Sequence, residues 1–90
     1  MLKGIIIKIY GQVQGVFFRA FVKERAGELD LVGWVYNMPV GTVEIIAEGE
    51  EENLKKLIEY CKEGPKFAKV DRVEVKWMEA GGKFEAFEIK

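Results

Sequence analysis

Residues 11–19 read Gly-Gln-Val-Gln-Gly-Val-Phe-Phe-Arg and separate two segments of different periodicity. Before them, Ile5–Tyr10 places isoleucine at every second position, which is typical of a strand with one apolar face. After them, Ala20–Leu29 carries apolar residues at helical spacing. The stretch is therefore predicted to be a glycine-containing turn that leads from a strand into a helix.

Such a junction can direct several backbone N–H groups and the N-terminus of a helix at one anion. Arg19, where the loop becomes helix, would add a guanidinium group, whose fork of donors matches a phosphate. The alternative is that Gly11 and Gly15 only permit turn dihedrals and that Arg19 is a solvated surface charge. Both interpretations stay open from this stretch alone.

The rest of the chain predicts five further segments of regular structure after the first strand and helix. Leu31–Met38 and Thr42–Glu48 have the pattern of a hairpin, and Gly49 is expected to end its second strand. A second helix follows with an apolar stripe of Leu54, Leu57, Ile58 and Cys61. Further strands are expected at Val73–Trp77 and, after a turn at Gly81-Gly82, at Phe84–Ile89.

This order of elements predicts an α+β fold in one domain over residues 1–90. The order β-α-β-β-α-β is that of a ferredoxin-like sandwich, an antiparallel sheet with two helices on one face. The last segment would add a short extra C-terminal strand. Ninety residues leave no room for a second hydrophobic core.

Charge and composition narrow the range of functions and locations. With Lys plus Arg at 14 and Asp plus Glu at 15, the net charge is −1. The chain thus lacks the broad positive field of a non-specific nucleic-acid binder. No segment is long enough to cross a bilayer and none resembles a signal peptide, so we expect a cytoplasmic protein and no membrane partner. Many Lys and Glu residues with few amides hint at a thermophilic source.

The residue types most often used in metal and nucleophilic sites are scarce. The chain has one cysteine, Cys61, and no histidine, which excludes an intrachain disulfide and removes the commonest general base and metal ligand. Cys61 lies on the apolar stripe of the second helix, so we expect it to be buried filler rather than a nucleophile. The three glutamates at 50–52 are interpreted as charge at the start of a helix. No metal or cofactor is expected.

Two motifs make the chain resemble the acylphosphatase family. The first family signature is Gly-x-Val-Gln-Gly-Val-x-Phe-Arg, and its fixed positions are filled by Gly11, Val13, Gln14, Gly15, Val16, Phe18 and Arg19. The second contains Gly, an aromatic, a small apolar residue and a variable residue before Asn, followed by a spaced Gly-x-Val and a later Gly. It is matched by Gly33, Trp34, Val35, Tyr36, Asn37, Gly41, Thr42, Val43 and Gly49. Tyr36, in place of a commonly basic residue, and Val40, in place of a common aspartate, depart from the family pattern.

The resemblance implies hydrolysis of the carboxyl–phosphate bond of acyl phosphates, without a metal. It implies that Arg19 binds the phosphoryl group together with the amides of the loop Gln14, Gly15, Val16, Phe17, Phe18 and Arg19. It also implies that Asn37 orients the attacking water, although Asn37 could instead be a turn former before Pro39. Thr42 could support Asn37 or the water, but we expect a plain exposed strand threonine. Inorganic phosphate is the expected product and inhibitor.

Elementary chemistry agrees with this activity. Phosphoryl transfer depends mainly on positioning and on stabilisation of charge. A carboxylate leaving group, whose conjugate acid has a pKa of roughly 4, departs without being protonated, so a general acid is not needed. Two alternatives stay open: a non-catalytic module that binds an acyl phosphate or carbamoyl phosphate, and an RNA-binding domain of the same fold. The predicted hairpin strand 42–48 has no aromatic residue for base stacking, which disfavours the second.

Overall fold

The computed structural model describes residues 1–90 and contains five strands and two helices. Their bounds are β1 Leu2–Gln12, α1 Phe18–Glu28, β2 Val32–Asn37, β3 Val43–Glu50, α2 Glu51–Glu63, β4 Lys69–Met78 and β5 Phe87–Ile89. No helix is long and apolar enough to cross a membrane.

The strands form one mixed sheet in the order β4-β1-β3-β2-β5. The pairs β1–β3, β1–β4 and β2–β3 are antiparallel, with Ile7 opposite both Ile45 and Val75. The predicted ferredoxin-like arrangement is confirmed. The last strand was expected to follow β4 through a turn, but β5 lies at the opposite edge of the sheet and runs parallel to β2, with Gly33 opposite Phe87.

The core lies between one face of the sheet and the two helices. Alternation along β1 puts Ile5, Ile7 and Ile9 on that face, and all three are fully buried. The same face of β3 contributes Val43, Ile45 and Ala47, as the sequence pattern predicts. The helices cover it with Phe18, Val22, Ala26, Leu54, Leu57, Ile58 and Cys61. The predicted stripe of α2 and the helical spacing of apolar residues in α1 are therefore confirmed.

Several element bounds differ from the predicted ones. Gly49 does not end β3, because it still pairs with Lys3 across the sheet, and the strand continues to Glu50. β4 begins at Lys69 rather than Val73, since β1 extends to Gln12 and pairs with it there. The end of β3 and the start of β4 are both set by backbone pairing with a neighbouring strand. The side-chain pattern of a single strand does not show that pairing.

One end of the sheet collects the loops that concern function. β1 ends there, α1 begins there, and the β2–β3 hairpin turns there, because Ile9 of β1 lies opposite Val43 of β3 and Asn37 of β2 pairs with the same Val43. β4 also starts there, with Lys69 opposite Gln12. The loop after β1 and the hairpin thus approach each other although many residues separate them in sequence.

The segment between β4 and β5 is a crossing strap, residues 79–86, which passes over the face of the sheet that the helices leave open. The carboxylate of Glu48, only 6% exposed, accepts hydrogen bonds from the N–H groups of Gly81 at 2.7 Å and Gly82 at 3.0 Å. Farther along, the ring of Phe84 packs edge-on against Trp34, with centroids 5.3 Å apart. These contacts hold the strap so that β5 can reach the edge of β2.

We expect Glu48→Ala to reduce the free energy of unfolding by about 2 kcal/mol, because two charge-assisted hydrogen bonds are lost and two strap N–H groups lose their acceptor. Urea unfolding at neutral pH measures this change. The control is Glu88→Ala, which removes an exposed carboxylate paired only with Lys90 and should change stability by no more than about 0.5 kcal/mol. Equal losses in the two variants would contradict the structural role assigned to Glu48.

Candidate active site

The loop between β1 and α1, residues 13–17, is fixed at both ends by the core. Val13 and Phe18 are buried, whereas Gln14 and Gly15 between them are exposed. Gly15 has a φ of 74° and Phe17 a φ of 65°, so the chain turns twice through left-handed conformations. This path carries the backbone from the strand into the first turn of α1 within a few residues.

The loop leaves a series of backbone donors unused. None of the N–H groups of residues 14–20 donates a hydrogen bond to another group of the protein. No side chain caps α1, and its first turn contains no acidic residue that would compete for an anion. Consecutive free N–H groups at a helix N-terminus bind anions, so this loop has the donors that a phosphate requires.

Arg19 is the second residue of α1 and is half-buried. Its Nη1 donates to the main-chain oxygen of Lys90 at 3.4 Å, and the N–H of Lys90 in turn donates to Val35 of β2 at 2.9 Å. Lys90 therefore follows β5 along the edge of β2 and brings the guanidinium to the end of β2. Asn37 is the last residue of that strand, so Arg19 and Asn37 approach the same corner of the molecule.

Two buried oxygen atoms at this corner have no hydrogen-bond partner: Oδ1 of Asn37 and Oγ1 of Thr42. Buried polar atoms are normally satisfied, so an unsatisfied pair beside a loop of free donors indicates a place prepared for a polar ligand. Thr42 was expected to be an exposed strand residue. It is only 5% exposed and lies just before β3. The N–H of Met38 donates to its carbonyl at 2.8 Å, and this hydrogen bond closes the hairpin.

The side chain of Gln14 joins the loop to the hairpin. Its Nε2 donates to the carbonyl oxygen of Met38 at 2.8 Å and to that of Thr42 at 3.0 Å. Sequence reasoning placed Gln14 only among the residues that surround the phosphate. Its spacing in the motif carries no sign of these two contacts, because both acceptors belong to a different part of the chain.

Tyr36 and Val40, the two departures from the family pattern, point away from these groups. Tyr36 is on the opposite face of β2 from Asn37, and its hydroxyl donates to Glu44 at 3.2 Å. Burial and the neighbouring carboxylate of Glu44 raise the pKa of Tyr36, so its hydroxyl stays protonated at neutral pH. Val40 is exposed at the tip of the hairpin. Neither side chain is placed to take part in chemistry.

Cys61 is fully buried in α2, as the sequence predicted. Burial raises the pKa of its thiol from 9.0 to about 12, so the thiolate does not form at neutral pH. No group of three or more His, Cys, Asp or Glu side chains is arranged to hold a metal ion. The polar groups at the corner of Arg19 and Asn37 are therefore the best candidates for a site.

Comparison with known proteins gives a consistent result. The acylphosphatase family model matches residues 5–89. An acylphosphatase of Methylococcus capsulatus is 40% identical over 88 residues, which are 98% of this chain and 96% of that protein. The crystal structure of acylphosphatase from Bacillus subtilis superposes with a TM-score of 0.92 at 41% identity, covering 100% of this chain and 99% of that one.

A larger protein contains the same fold. Full-length HypF, solved in a phosphate- and nucleotide-bound form, matches with a TM-score of 0.91 at 34% identity. The match covers 100% of this chain but only 12% of HypF. The fold thus occurs both as the greater part of small proteins and as a small part of a large one.

We expect the native protein to resist thiol reagents at pH 8, and the unfolded protein to react with one equivalent, because the raised pKa and burial of Cys61 both suppress the thiolate. Above pH 9.0, the unfolded thiol ionises while the folded one stays protonated until about pH 12. The thiol therefore contributes a loss of stability as pH rises through this window. Cys61→Ala, compared by urea unfolding, should lack that contribution. Rapid labelling of the folded protein would contradict it.

Proposed function

The chain belongs to the acylphosphatase family, and we propose that its hydrolysis of acyl phosphates takes place between the loop 14–19 and Asn37. The observation that carries this proposal is the set of free N–H groups in a loop that Gln14 ties to the hairpin. That hairpin holds the unsatisfied oxygens of Asn37 and Thr42. Hydrogen-bond donors for a phosphate and a hydrogen-bond acceptor for a water molecule thus lie at the same corner of the molecule.

In the proposed reaction, the loop N–H groups and Arg19 bind the oxygens of the phosphoryl group. They are set in position before the reaction, so the charge that develops on those oxygens is stabilised without reorganisation. The Arg19 guanidinium is already oriented by the Lys90 carbonyl, which limits the rotamers it must give up on binding.

Oδ1 of Asn37 accepts a hydrogen bond from the attacking water and directs a lone pair of that water at phosphorus. The lack of another hydrogen-bond partner for Oδ1 supports this role. Thr42, next to Asn37 in the hairpin, is proposed to help hold the same water through Oγ1. A phosphate oxygen can take the proton that the water releases, since no side-chain base is placed there.

The leaving group explains why this set of residues is sufficient. A carboxylate is a weak base and departs unprotonated, so no general acid is required, whereas an alkyl phosphate would release a strongly basic alkoxide. We therefore propose that the reaction needs no metal or cofactor and that the substrates are small-molecule acyl phosphates. Because the loop binds the phosphoryl group, inorganic phosphate would be both product and competitive inhibitor.

We also propose that the protein acts in the cytoplasm and without a nucleic-acid or membrane partner. The near-zero net charge and the single reduced, buried thiol support this setting. The Lys- and Glu-rich composition supports a thermophilic source. HypF was solved in a phosphate- and nucleotide-bound form, so the second candidate function is the binding of a phosphate-bearing ligand without its hydrolysis.

We expect Arg19→Ala and Asn37→Ala each to lower kcat about 100- to 1,000-fold while the proteins stay folded. The two variants should differ in their inhibition by inorganic phosphate. Arg19→Ala should no longer be inhibited, because the guanidinium that binds the phosphate is removed, whereas Asn37→Ala should still be inhibited. The measurements are steady-state hydrolysis of acetyl phosphate with and without inorganic phosphate.

Matched controls are Arg72→Ala, which removes an exposed arginine at the far edge strand, and Asn53→Ala, which removes an amide bonded to Leu29. Both should keep wild-type kcat. Full activity in a folded Arg19 or Asn37 variant would remove that residue from the mechanism.

We expect the wild type to hydrolyse acetyl phosphate at least about 1,000-fold faster than an alkyl phosphate, because only the first has a leaving group that needs no proton. A chelator should leave the rate on acetyl phosphate unchanged. Phosphate release measured with both substrates, with and without chelator, checks this. Comparable rates on the two substrates, or activity lost to the chelator, would contradict the mechanism, and binding without turnover would indicate the non-catalytic function.

A further inference from the structure

The stability of the protein does not explain why residue 17 of the loop is a phenylalanine. It precedes α1 with φ 65° and ψ 22°, a left-handed conformation that glycine adopts at lower cost. Its side chain is 77% exposed and lies outside the hydrophobic core and the residues packed against it. A large apolar side chain is thus displayed to solvent on a strained backbone beside the free N–H groups.

Another exposed phenylalanine shows the contrast. Phe67, in the connection between α2 and β4, is 70% exposed, but its ring lies 5.6 Å from the ammonium group of Lys66. Phe17 has no such cation and no aromatic neighbour within stacking distance. Its ring is therefore free to contact something that is not part of the protein.

The geometry of phosphoryl transfer indicates what that contact is. The attacking and leaving oxygens lie roughly in line through phosphorus. With the water held at Asn37, the acyl group must extend from the opposite side of the phosphoryl group. Gln14 faces the hairpin that carries Asn37, whereas Phe17 lies at the other end of the loop, turned to solvent.

Resting on the function proposed above, we propose that the ring of Phe17 binds the acyl portion of the substrate and gives this protein a preference for acyl phosphates with an extended apolar acyl group. The contact is made to a part of the substrate that does not react. It stabilises the bound substrate and the transition state alike, so it acts mainly on KM.

The experiment compares acetyl phosphate with hexanoyl phosphate. The conjugate acids of their leaving groups have almost equal pKa values, so the two substrates differ mainly in the length of the aliphatic chain. The wild type should have the lower KM for hexanoyl phosphate. In Phe17→Ala, the ratio of kcat/KM for hexanoyl over acetyl phosphate should fall about tenfold, as expected when roughly two methylene groups lose an apolar contact. The change should appear in KM, and Phe17→Tyr should keep the wild-type ratio.

Phe67→Ala is the matched control, since it removes a similarly exposed ring from a connection that carries none of the proposed site residues, and its ratio should equal that of the wild type. An unchanged ratio in Phe17→Ala, or the same fall in Phe67→Ala, overturns the inference while the proposed function stands. A wild type inactive on both substrates overturns the proposed function, and the role of Phe17 with it.

Discussion

The burial of Val13 and Phe18 on either side of a short loop is the constraint on which the candidate site depends. Both side chains are held by the core. The backbone between them turns from β1 into α1 within the four residues 14–17, and Phe17, at the N-cap position, has no side-chain acceptor to offer. The N–H groups of the loop and of the first helical turn are left without partners as a direct result. Hydrophobic packing, which has no directional preference of its own, thereby fixes a set of directional donors.

Those donors become useful because hydrogen bonds between distant parts of the chain bring other groups to them. Gln14 fastens the loop to the hairpin, and the Lys90 carbonyl turns the Arg19 guanidinium toward the end of β2. At the same corner, Oδ1 of Asn37 is an acceptor without a hydrogen-bond partner. No internal bond has to be broken first: the loop N–H groups can donate to a phosphate, and Oδ1 of Asn37 can accept from a water.

The sequence predicted the fold where the signal is local and periodic. The isoleucines of β1 and the stripe from Leu54 to Cys61 each repeat often enough to define one buried face. It predicted the short last strand but neither its start at Phe87 nor its place beside β2. Three residues are too few to show a period, and the path of the chain over the sheet determines the pairing. The burial of Thr42 and the contacts of Gln14 were missed for a related reason. The side chain of Gln14 donates to carbonyl groups 24 and 28 residues away, the second being that of Thr42, and no side-chain pattern reveals such contacts.

The path of the crossing strap has a consequence for the order in which the molecule assembles. The pairing of Gly33 with Phe87 joins residues 54 positions apart (87 − 33), and the strap can lie across β1 and β3 only after these strands have paired. A contact that both spans many residues and requires other strands to have paired first is expected to form late. The edge of β2 is therefore expected to stay bare in partly folded molecules, and the guanidinium of Arg19 to find its carbonyl partner in the final stage of folding. Catalytic competence would then lag behind the formation of secondary structure during refolding.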